Sequence, residues 1–346
     1  MHGVVFLGNR KLELREFPDP TPGPGEVVIA IKASGMCGSD LHPYRAVGDA
    51  AAALGLGGGG GPVIAGHEPC GVVAAVGPGV RGVAVGERVM NHHYAGCGRC
   101  PHCRSGWSQL CPRGIVVYGM TGHGGHAPFM RVPAHTLVPL PDGLSFAEGA
   151  AVSCGTGTAY AALKRLDVSG RDTLAVFGQG PVGLSATLLG RAMGARVIAL
   201  DVVAERLTLA RELGADAVVD AGTGDPVAAI RELTRGEGAQ AAMDCTGAAP
   251  ARVAAVRSAA TWGRVAFVGE GGTTEFDISR DMIRKQLTIH ASWTFSSVGQ
   301  EECARFVVDR KVPLARLLTH RFRLAQAEEA YRLFDTQTTG KGVFVF

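Results

Sequence analysis

The segment Gly178-Gln179-Gly180-Pro181-Val182-Gly183 constrains the fold more than any other part of this chain. It follows an apolar run, Thr173–Phe177, and opens a stretch with helical periodicity, while Asp201 ends the next apolar run. Glycines in a strand–turn–helix connection let the backbone approach a pyrophosphate at the positive end of the helix. An acidic residue about 20 positions downstream accepts hydrogen bonds from the adenosine ribose. The sequence therefore predicts a dinucleotide site that includes Gly178, Gly180, Pro181, Val182 and Gly183; the alternative is a glycine turn without a ligand.

Asp201 also bears on which dinucleotide binds. Its carboxylate can accept from the ribose 2′-hydroxyl and would repel a 2′-phosphate. The first basic residue after it is Arg206, which we count among the cofactor-binding residues. NAD is therefore favoured, and NADP is the alternative if Arg206 is recruited to the phosphate.

The pattern of apolar runs divides the chain into two kinds of region. Between about residues 172 and 289, brief apolar runs alternate with helical stretches such as 204–213, which predicts a doubly wound parallel sheet. Up to about residue 150, short apolar runs are cut by Gly and Pro, a pattern typical of irregular antiparallel β structure. The chain ends in another strand-like run, 342–346. A length of 346 residues favours two domains.

Composition excludes several functional classes. Lys and Arg exceed Asp and Glu by only 34 to 31, so binding to nucleic acid or a membrane surface has little electrostatic support. Apolar runs stay well short of the ~20 residues of a membrane span, and the start lacks the pattern of a signal peptide. We expect a cytosolic protein, in which nine cysteines indicate metal or thiol chemistry before disulfides. Cys70, Cys245 and Cys303 stand alone and are expected to be inert buried residues.

Four cysteines with the spacing C-x2-C-x2-C-x7-C occur at Cys97, Cys100, Cys103 and Cys111. Four thiolates close together on one loop form the closed tetrahedral shell of a structural zinc site. Bacterial iron–sulfur runs have a three-residue last gap instead of seven. Structural zinc is the prediction; an iron–sulfur cluster, disulfides and no ligand are the alternatives. Because four thiolates saturate zinc, the chemistry must lie elsewhere.

Three further segments supply candidates for a reactive metal: Cys37 to His42, Gly66-His67-Glu68, and the stretch around Cys154. One histidine and two cysteines are a ligand set that leaves a position open for substrate on zinc. These residues lie far apart in the sequence, so spacing alone does not select them over other histidines and cysteines.

Taken together, these motifs resemble the zinc-dependent medium-chain alcohol dehydrogenase family over essentially the whole chain. The resemblance rests on C-x-[ST]-D-x-H at 37–42, GHE at 66–68, the four cysteines, the Cys154 stretch, the glycine turn and Gly340-Lys341-Gly342-Val343, in this order. It implies a catalytic zinc domain of co-chaperonin-like antiparallel β structure at residues 1–152 and 290–346, with the structural zinc lobe at 95–112. A Rossmann domain at 153–289 would bind NAD.

The resemblance also implies roles for individual residues. Cys37, His67 and Cys154 would hold the catalytic zinc, Asp40 would orient His67, and Glu68 would lie beside the metal as an alternate ligand. Ser39 would take the substrate proton and pass it through the cofactor ribose to His42 at the surface, although a turn serine and a solvated histidine are the simpler interpretations. Thr158 would contact nicotinamide, Lys341 the pyrophosphate, and Val268 the edge of the nicotinamide pocket; Lys341 could equally be a solvated surface lysine.

The substrate pocket is expected to be polar. Where relatives often place a large aromatic residue, this chain has Asn91-His92-His93-Tyr94, and Trp293 could close the opposite side. If one histidine faces the cavity, a second substrate hydroxyl would find a partner, which favours secondary alcohols, diols or polyols over ethanol. The alternative is a structural histidine pair. Cys154, where polyol-type relatives often carry Glu, counts against a close sorbitol dehydrogenase.

Other activities remain as alternatives: a primary-alcohol dehydrogenase, a zinc-free quinone or enoyl reductase, and a non-catalytic NAD-binding protein. We expect two zinc ions per chain, NAD as the cofactor, a small-molecule alcohol or carbonyl substrate, and a homodimer or homotetramer. The alanine- and glycine-rich loop at 50–61 either covers the active-site mouth or is a tolerated surface insertion.

Overall fold

The computed structural model describes residues 1–47 and 61–346. The first 140 residues form short strands, as expected from their composition. These are β1 (His2–Gly8), β2 (Lys11–Glu16), β3 (Glu26–Gly35), β4 (Glu68–Val76), β5 (Arg88–Asn91), β6 (Tyr94–Ala95), β7 (Val116–Val117), β8 (Phe129–Pro133) and β9 (Leu137–Pro139). The loop discussed above at 50–61 lies, apart from Gly61, outside the described residues.

The second region forms a six-stranded parallel sheet in the order β12-β11-β10-β13-β14-β15. Its strands are β10 (Thr173–Phe177), β11 (Arg196–Asp201), β12 (Ala217–Asp220), β13 (Ala239–Asp244), β14 (Ala259–Phe267) and β15 (Thr288–Ala291). The order reverses beside β10, and such a switch point is where doubly wound sheets bind ligands. The predicted domain boundary at 289/290 falls inside β15.

The chain then returns to the first region. Strands β16 (Leu318–Phe322) and β17 (Lys341–Val345) extend a seven-stranded sheet in the order β16-β17-β3-β4-β5-β9, with β8 paired to β3. Every pairing is antiparallel except that between β16 and β17. The prediction of a Rossmann sheet joined to an antiparallel β domain is confirmed.

Helices cover the parallel sheet and connect the two regions. They are α1 (Leu41–Arg45), α2 (Pro101–Arg104), α3 (Phe146–Ala151), α4 (Gly157–Arg165), α5 (Pro181–Ala192), α6 (Ala204–Glu212), α7 (Pro226–Leu233), α8 (Ala249–Ser258), α9 (Ile278–Asp281), α10 (Ser297–Asp309) and α11 (Ala327–Asp335). One continuous core cluster joins α3, α4 and α10 to α5 and strand β10, so the two regions share a buried interface. Among the described residues, every helix is too short or too polar to cross a membrane.

Candidate active site

A cavity of about 1310 Å³ receives side chains from both regions. It brings together most of the residues singled out in the sequence: Cys37, Ser39, His42, His67, Cys154, Thr158, Gly178, Gly180, Pro181, Val182, Asp201, Arg206 and Val268. Glu68, Gly183 and Lys341 are absent from its lining. The cleft is therefore the meeting point of the predicted metal residues and the predicted dinucleotide turn.

The three predicted zinc ligands meet at the inner end of this cleft. Ligand atoms of Cys37, His67, Glu68 and Cys154 lie within 4.8 Å of one another, and all four side chains are buried. The two sulfur atoms are 3.8 Å apart. Two thiolates bound tetrahedrally to zinc at about 2.3 Å would be separated by about 3.8 Å. The donor set and its spacing therefore fit a zinc ion.

Local structure places each ligand. Cys37 follows the end of β3 and precedes a single 3-10 turn, Gly38–Asp40, while His67 directly precedes β4. Cys154 lies in a π-helical turn, Val152–Thr156, between α3 and α4. Such widened turns are frequent at functional sites, because one extra residue per turn changes the direction of the side chains.

A buried chain of hydrogen bonds extends from His67 away from the cleft. Asp40 Oδ1 lies 2.8 Å from His67 Nδ1, and Asp40 Oδ2 accepts from the Cys37 amide (2.8 Å) and from the Tyr331 hydroxyl (3.3 Å). Tyr331 in turn lies 2.7 Å from His126 Nε2. Burial opposes charge on His67, but the Asp40 carboxylate outweighs it and raises the pKa of His67 well above its usual value. Sequence reasoning identified Asp40 and missed Tyr331 and His126.

The two cleft thiols share one hydrogen bond. This bond lowers the pKa of Cys37 well below its usual value, and it raises the pKa of Cys154 well above, with burial adding to the rise.

Glu68 and Lys341 form a fully buried ion pair beside the metal ligands. Lys341 Nζ lies 2.5 Å from Glu68 Oε2 and donates to the Met36 carbonyl oxygen at 3.1 Å. The solvated surface lysine considered above is therefore wrong, since Lys341 has no exposed area. Burial raises the pKa of Glu68 to about 8, although Lys341 opposes the rise. A contact of Lys341 with a cofactor pyrophosphate stays a prediction.

The two residues predicted to form a proton relay, Ser39 and His42, both line the cleft. Ser39 Oγ lies 3.3 Å from His67 Nε2, inside the cleft. His42 lies one helical turn further along the chain, lines the cleft and is exposed to solvent. The structure thus places a hydroxyl at the metal ligands and a titratable group at the rim.

The dinucleotide turn has the backbone that the motif requires. Gly178 has φ +86°, and a Cβ at Gly183 would lie 1.7 Å from the Gly178 carbonyl oxygen, so only glycine fits there. Asp201 accepts hydrogen bonds from the amides of Gln179 (2.5 Å), Val202 (2.8 Å) and Val203 (3.0 Å). These amides fix the carboxylate at the end of β11, as a ribose-binding acid requires.

Arg206 lies at the edge of the same site. Its guanidinium is 4.0 Å from Asp201 Oδ2 and donates to Gln337 Oε1 at 3.2 Å. Arg206 therefore neutralises Asp201 in part.

The two adjacent histidines differ in position. His93 lines the cleft, and its Nδ1 lies 3.0 Å from the Ser153 carbonyl oxygen. Burial, reinforced by His67, holds the pKa of His93 well below its usual value, so the ring is neutral. His92 is buried behind the cleft wall, and burial lowers its pKa to about 4. Trp293 lines the cleft, but it packs edge-on against Tyr94, with ring centroids 5.7 Å apart, so it lies beside the histidine-containing stretch and not across from it. Thr294 also lines the cleft, and sequence reasoning missed it.

The four cysteines of the second cluster converge outside the cleft. Their sulfur atoms lie within 4.8 Å of one another, with Cys100 Sγ 3.5 Å from Cys103 Sγ and 3.9 Å from Cys111 Sγ. All four cysteines are free thiols, which contradicts the disulfide alternative. The separations fit a tetrahedral zinc ion, and four thiolates leave no position for a substrate.

A Rossmann sheet and an antiparallel β domain that share a cleft, with a three-ligand zinc site and a dinucleotide turn in it, define a zinc-dependent dehydrogenase fold. Residues 23–142 match the alcohol dehydrogenase GroES-like domain, and residues 181–310 match the zinc-binding dehydrogenase domain. The chain belongs to the zinc-dependent medium-chain alcohol dehydrogenase family.

Individual relatives match this chain over 94% of its length or more. A zinc-type alcohol dehydrogenase-like protein of Escherichia coli (strain K12), YphC, itself uncharacterised, is 43% identical over 100% of this chain and 99% of its own. A sorbitol dehydrogenase of Halalkalibacterium halodurans is 30% identical over 94% of this chain and 92% of its own. An alcohol dehydrogenase structure from E. coli CFT073, complexed with NADH, superposes with a TM-score of 0.87 at 26% identity, over 100% of this chain and 99% of that one. The zinc-binding domain match, the two clusters of potential zinc ligands and the NADH-bound neighbour support zinc and NAD as the cofactors, as predicted.

Proposed function

We propose that this protein is an NAD-linked zinc dehydrogenase that oxidises a secondary alcohol, diol or polyol to the ketone or aldehyde. When bound, zinc supplies Lewis acidity that makes a substrate hydroxyl more acidic, and NAD⁺ accepts the hydride. Cys37, His67 and Cys154 would hold the zinc ion and leave a position open for substrate. The glycine turn and Asp201 would hold the dinucleotide.

The chain's own residues would move the proton. Ser39 Oγ, inside the cleft, would accept the proton that leaves the substrate hydroxyl and give up its own proton toward His42, which takes up a proton and releases one to solvent at the exposed rim. An imidazole suits this role because one ring nitrogen can accept a proton while the other donates one. Tyr94 and Trp293 also line the cleft, where buried Tyr94 packs edge-on against Trp293, which is 40% exposed.

The position of His93 is the main observation that supports the proposed substrate class. A carbonyl oxygen can only accept, so the bond to Ser153 places the ring proton on Nδ1 and leaves Nε2 as an acceptor. His93 lines the cleft, with its ring centroid 5.1 Å from that of the metal ligand His67. A substrate donor next to the reacting carbon would pair with Nε2, and a hydroxyl is such a donor. Similarity to a sorbitol dehydrogenase supports the same class.

The observed geometry favours this proposal over the rival activities. A zinc-free reductase would not need Cys37, His67 and Cys154 at ligand distance from one another, as they are here. A non-catalytic protein would not need a proton relay, whereas Ser39 and His42 both line the cleft. A homodimer or homotetramer remains part of the proposal.

The test combines zinc analysis with NAD⁺ reduction on matched substrates: 2-butanol against 2,3-butanediol, 1-propanol against glycerol and sorbitol, and L-threonine as an amino alcohol. We expect two zinc ions per chain and a kcat/KM about tenfold higher for the diol than for the mono-alcohol, the value of one net hydrogen bond. His93→Phe should abolish that preference while 2-butanol is still oxidised. Equal kcat/KM values of the wild type for 2-butanol and 2,3-butanediol would contradict the proposed substrate class. A content of one zinc ion per chain with no NAD⁺ reduction on any substrate would contradict the proposed activity.

A further inference from the structure

The four-cysteine lobe contacts the wall of the substrate cleft through one side chain. Gln109 lies between Cys103 and Cys111, in the 3-10 turn Ser108–Leu110. Its Nε2 donates hydrogen bonds to Thr294 Oγ1 and to the Phe295 carbonyl oxygen, both at 2.8 Å. Gln109 is 4% exposed, so these bonds are made away from solvent. The lobe is thus bonded to residues that come more than 180 positions later in the chain.

A backbone bond reinforces this contact. The Ser297 amide donates to the Gly106 carbonyl oxygen at 3.0 Å, at the start of α10. We call residues 293–298 the wall segment. It runs from the connection after β15 into the first residues of α10, and it includes Trp293 and Thr294 of the cleft lining. Two separate points of the lobe therefore hold the wall segment.

The wall segment needs such support, because Thr294 has a left-handed backbone with φ +53°. For a β-branched residue this conformation is strained, and it persists only where the surroundings fix it. Gln109 bonds both the side chain of Thr294 and the following carbonyl, so it holds the residue on each side of the strained position. Phe295 then packs at 5.5 Å and 6.0 Å against the rings of His92 and His93.

Polar groups continue from Gln109 toward the metal ligands. Gln109 Oε1, Gln300 Oε1 and both ring nitrogens of His92 are buried without a hydrogen-bond partner among the described residues. Gln300 Nε2 lies 3.3 Å from the hydroxyl of Ser153, the neighbour of Cys154. These side chains therefore form one buried polar layer between the lobe and the turn that carries Cys154.

We propose that Gln109 is a positioning residue for the substrate cavity. Through its amide the lobe fixes Thr294 and Phe295, and thereby the wall that faces His93 and the reacting end of the substrate. The lobe therefore sets substrate affinity as well as stability. The geometry that supports this role does not depend on which alcohol the protein oxidises.

The test is Gln109→Met, which keeps an unbranched side chain of similar length and removes the amide. Three quantities are measured: zinc per chain, hydrogen–deuterium exchange of peptides covering 293–298, and the separate KM and kcat values for the alcohol. We expect two zinc ions, about tenfold faster exchange in the wall segment, and an alcohol KM raised about tenfold, with kcat and the KM for NAD⁺ changed less than about threefold, as the loss of one or two net hydrogen bonds implies.

Two further variants make the result unambiguous. Ser108→Ala changes a buried residue of the same turn whose hydroxyl makes no hydrogen bond to the wall segment, and it should leave exchange and KM unchanged. Thr294→Val removes one acceptor while preserving shape, and it should shift exchange and KM in the same direction as Gln109→Met, by less.

A wild-type exchange rate of the wall segment in zinc-replete Gln109→Met would overturn the proposal. If Gln109→Met does not fold, unchanged exchange in Thr294→Val overturns it instead. Exchange is read without turnover, so failure of the proposed enzymatic function is a separate result.

Discussion

The lobe cluster takes its four thiols from the short segment Cys97–Cys111, whereas the cleft cluster takes Cys37, His67 and Cys154 from three separate parts of the chain. Side chains in the lobe are in part accessible to solvent, and those in the cleft are all buried. The lobe ligands lie on one loop, and the cleft ligands are held by β3, β4 and a π-helical turn that the whole domain must fold to bring together.

This difference shows how one metal can serve two purposes in one chain. Four thiolates from a single loop close the coordination shell, so zinc there would replace a hydrophobic core for a segment with little apolar surface. Three ligands from distant segments leave a position open, and their geometry depends on the surrounding fold. We therefore expect damage to the cleft cluster to reduce activity, and damage to the lobe to reduce stability.

The largest expected effect is that of Cys154→Ala. Without this thiolate the open zinc site loses a ligand, and the several kcal/mol that a Lewis acid contributes should be lost, so kcat/KM should fall about a thousandfold or more. NADH should still bind, because the dinucleotide turn is unaffected. The measurements are NAD⁺ reduction, NADH fluorescence on binding, and zinc per chain, which should fall from two to one.

Cys303→Ala is the matched control for that variant. Cys303 is a fully buried free thiol on α10 and belongs to neither cluster. It should keep both zinc ions and most of the activity. Near-normal turnover by Cys154→Ala would remove this residue from the zinc shell and end the contrast between the two clusters.

Cys111→Ser should act in the opposite way. Loss of one lobe ligand should release that zinc ion and lower the free energy of unfolding by several kcal/mol, a fraction of the ~10–16 kcal/mol that structural zinc contributes in isolated fingers. The cleft zinc should remain, and kcat should change far less than stability. Thermal unfolding and zinc content, compared with kcat below the melting temperature, test this expectation. A zinc-replete, fully stable Cys111→Ser protein would refute a structural role for the lobe.

Local patterns in the sequence predicted one part of this molecule well. Strand β10 has the predicted bounds, Thr173–Phe177, and Asp201 ends β11 as expected. The glycine turn lies where the motif placed it, because its requirement for close backbone approach is a property of a few adjacent residues. The spacing of the four cysteines is local in the same sense.

Contacts between distant segments could not be predicted in this way. Glu68 and Lys341 pair across the domain, Tyr331 bonds Asp40, and Gln109 bonds Thr294, and the sequence gives no periodic signal for any of these pairs. The resemblance to a family supplied the three zinc ligands, but not the residues that hold them. Which of two neighbouring histidines faces the cleft likewise depends on packing around His93 and Phe295.

The smallest effect that still separates the two clusters is expected from Tyr331→Phe. Tyr331 lies on α11, is fully buried, and donates to the Asp40 carboxylate that orients His67. Outer partners of metal ligands typically change metal affinity by about 10–100-fold, and this bond is long at 3.3 Å, so we expect about tenfold weaker zinc binding in the cleft. The affinity of the lobe for zinc should not change, because Asp40 has no part in that cluster.

Chelator competition that resolves the two zinc ions measures both affinities. The control is Tyr44→Phe, which changes a buried tyrosine whose ring packs at 5.5 Å from the Tyr331 ring. Equal weakening at both sites would mean that the substitution acts through general stability, and the hydrogen bond to Asp40 would then not be what distinguishes the cleft from the lobe.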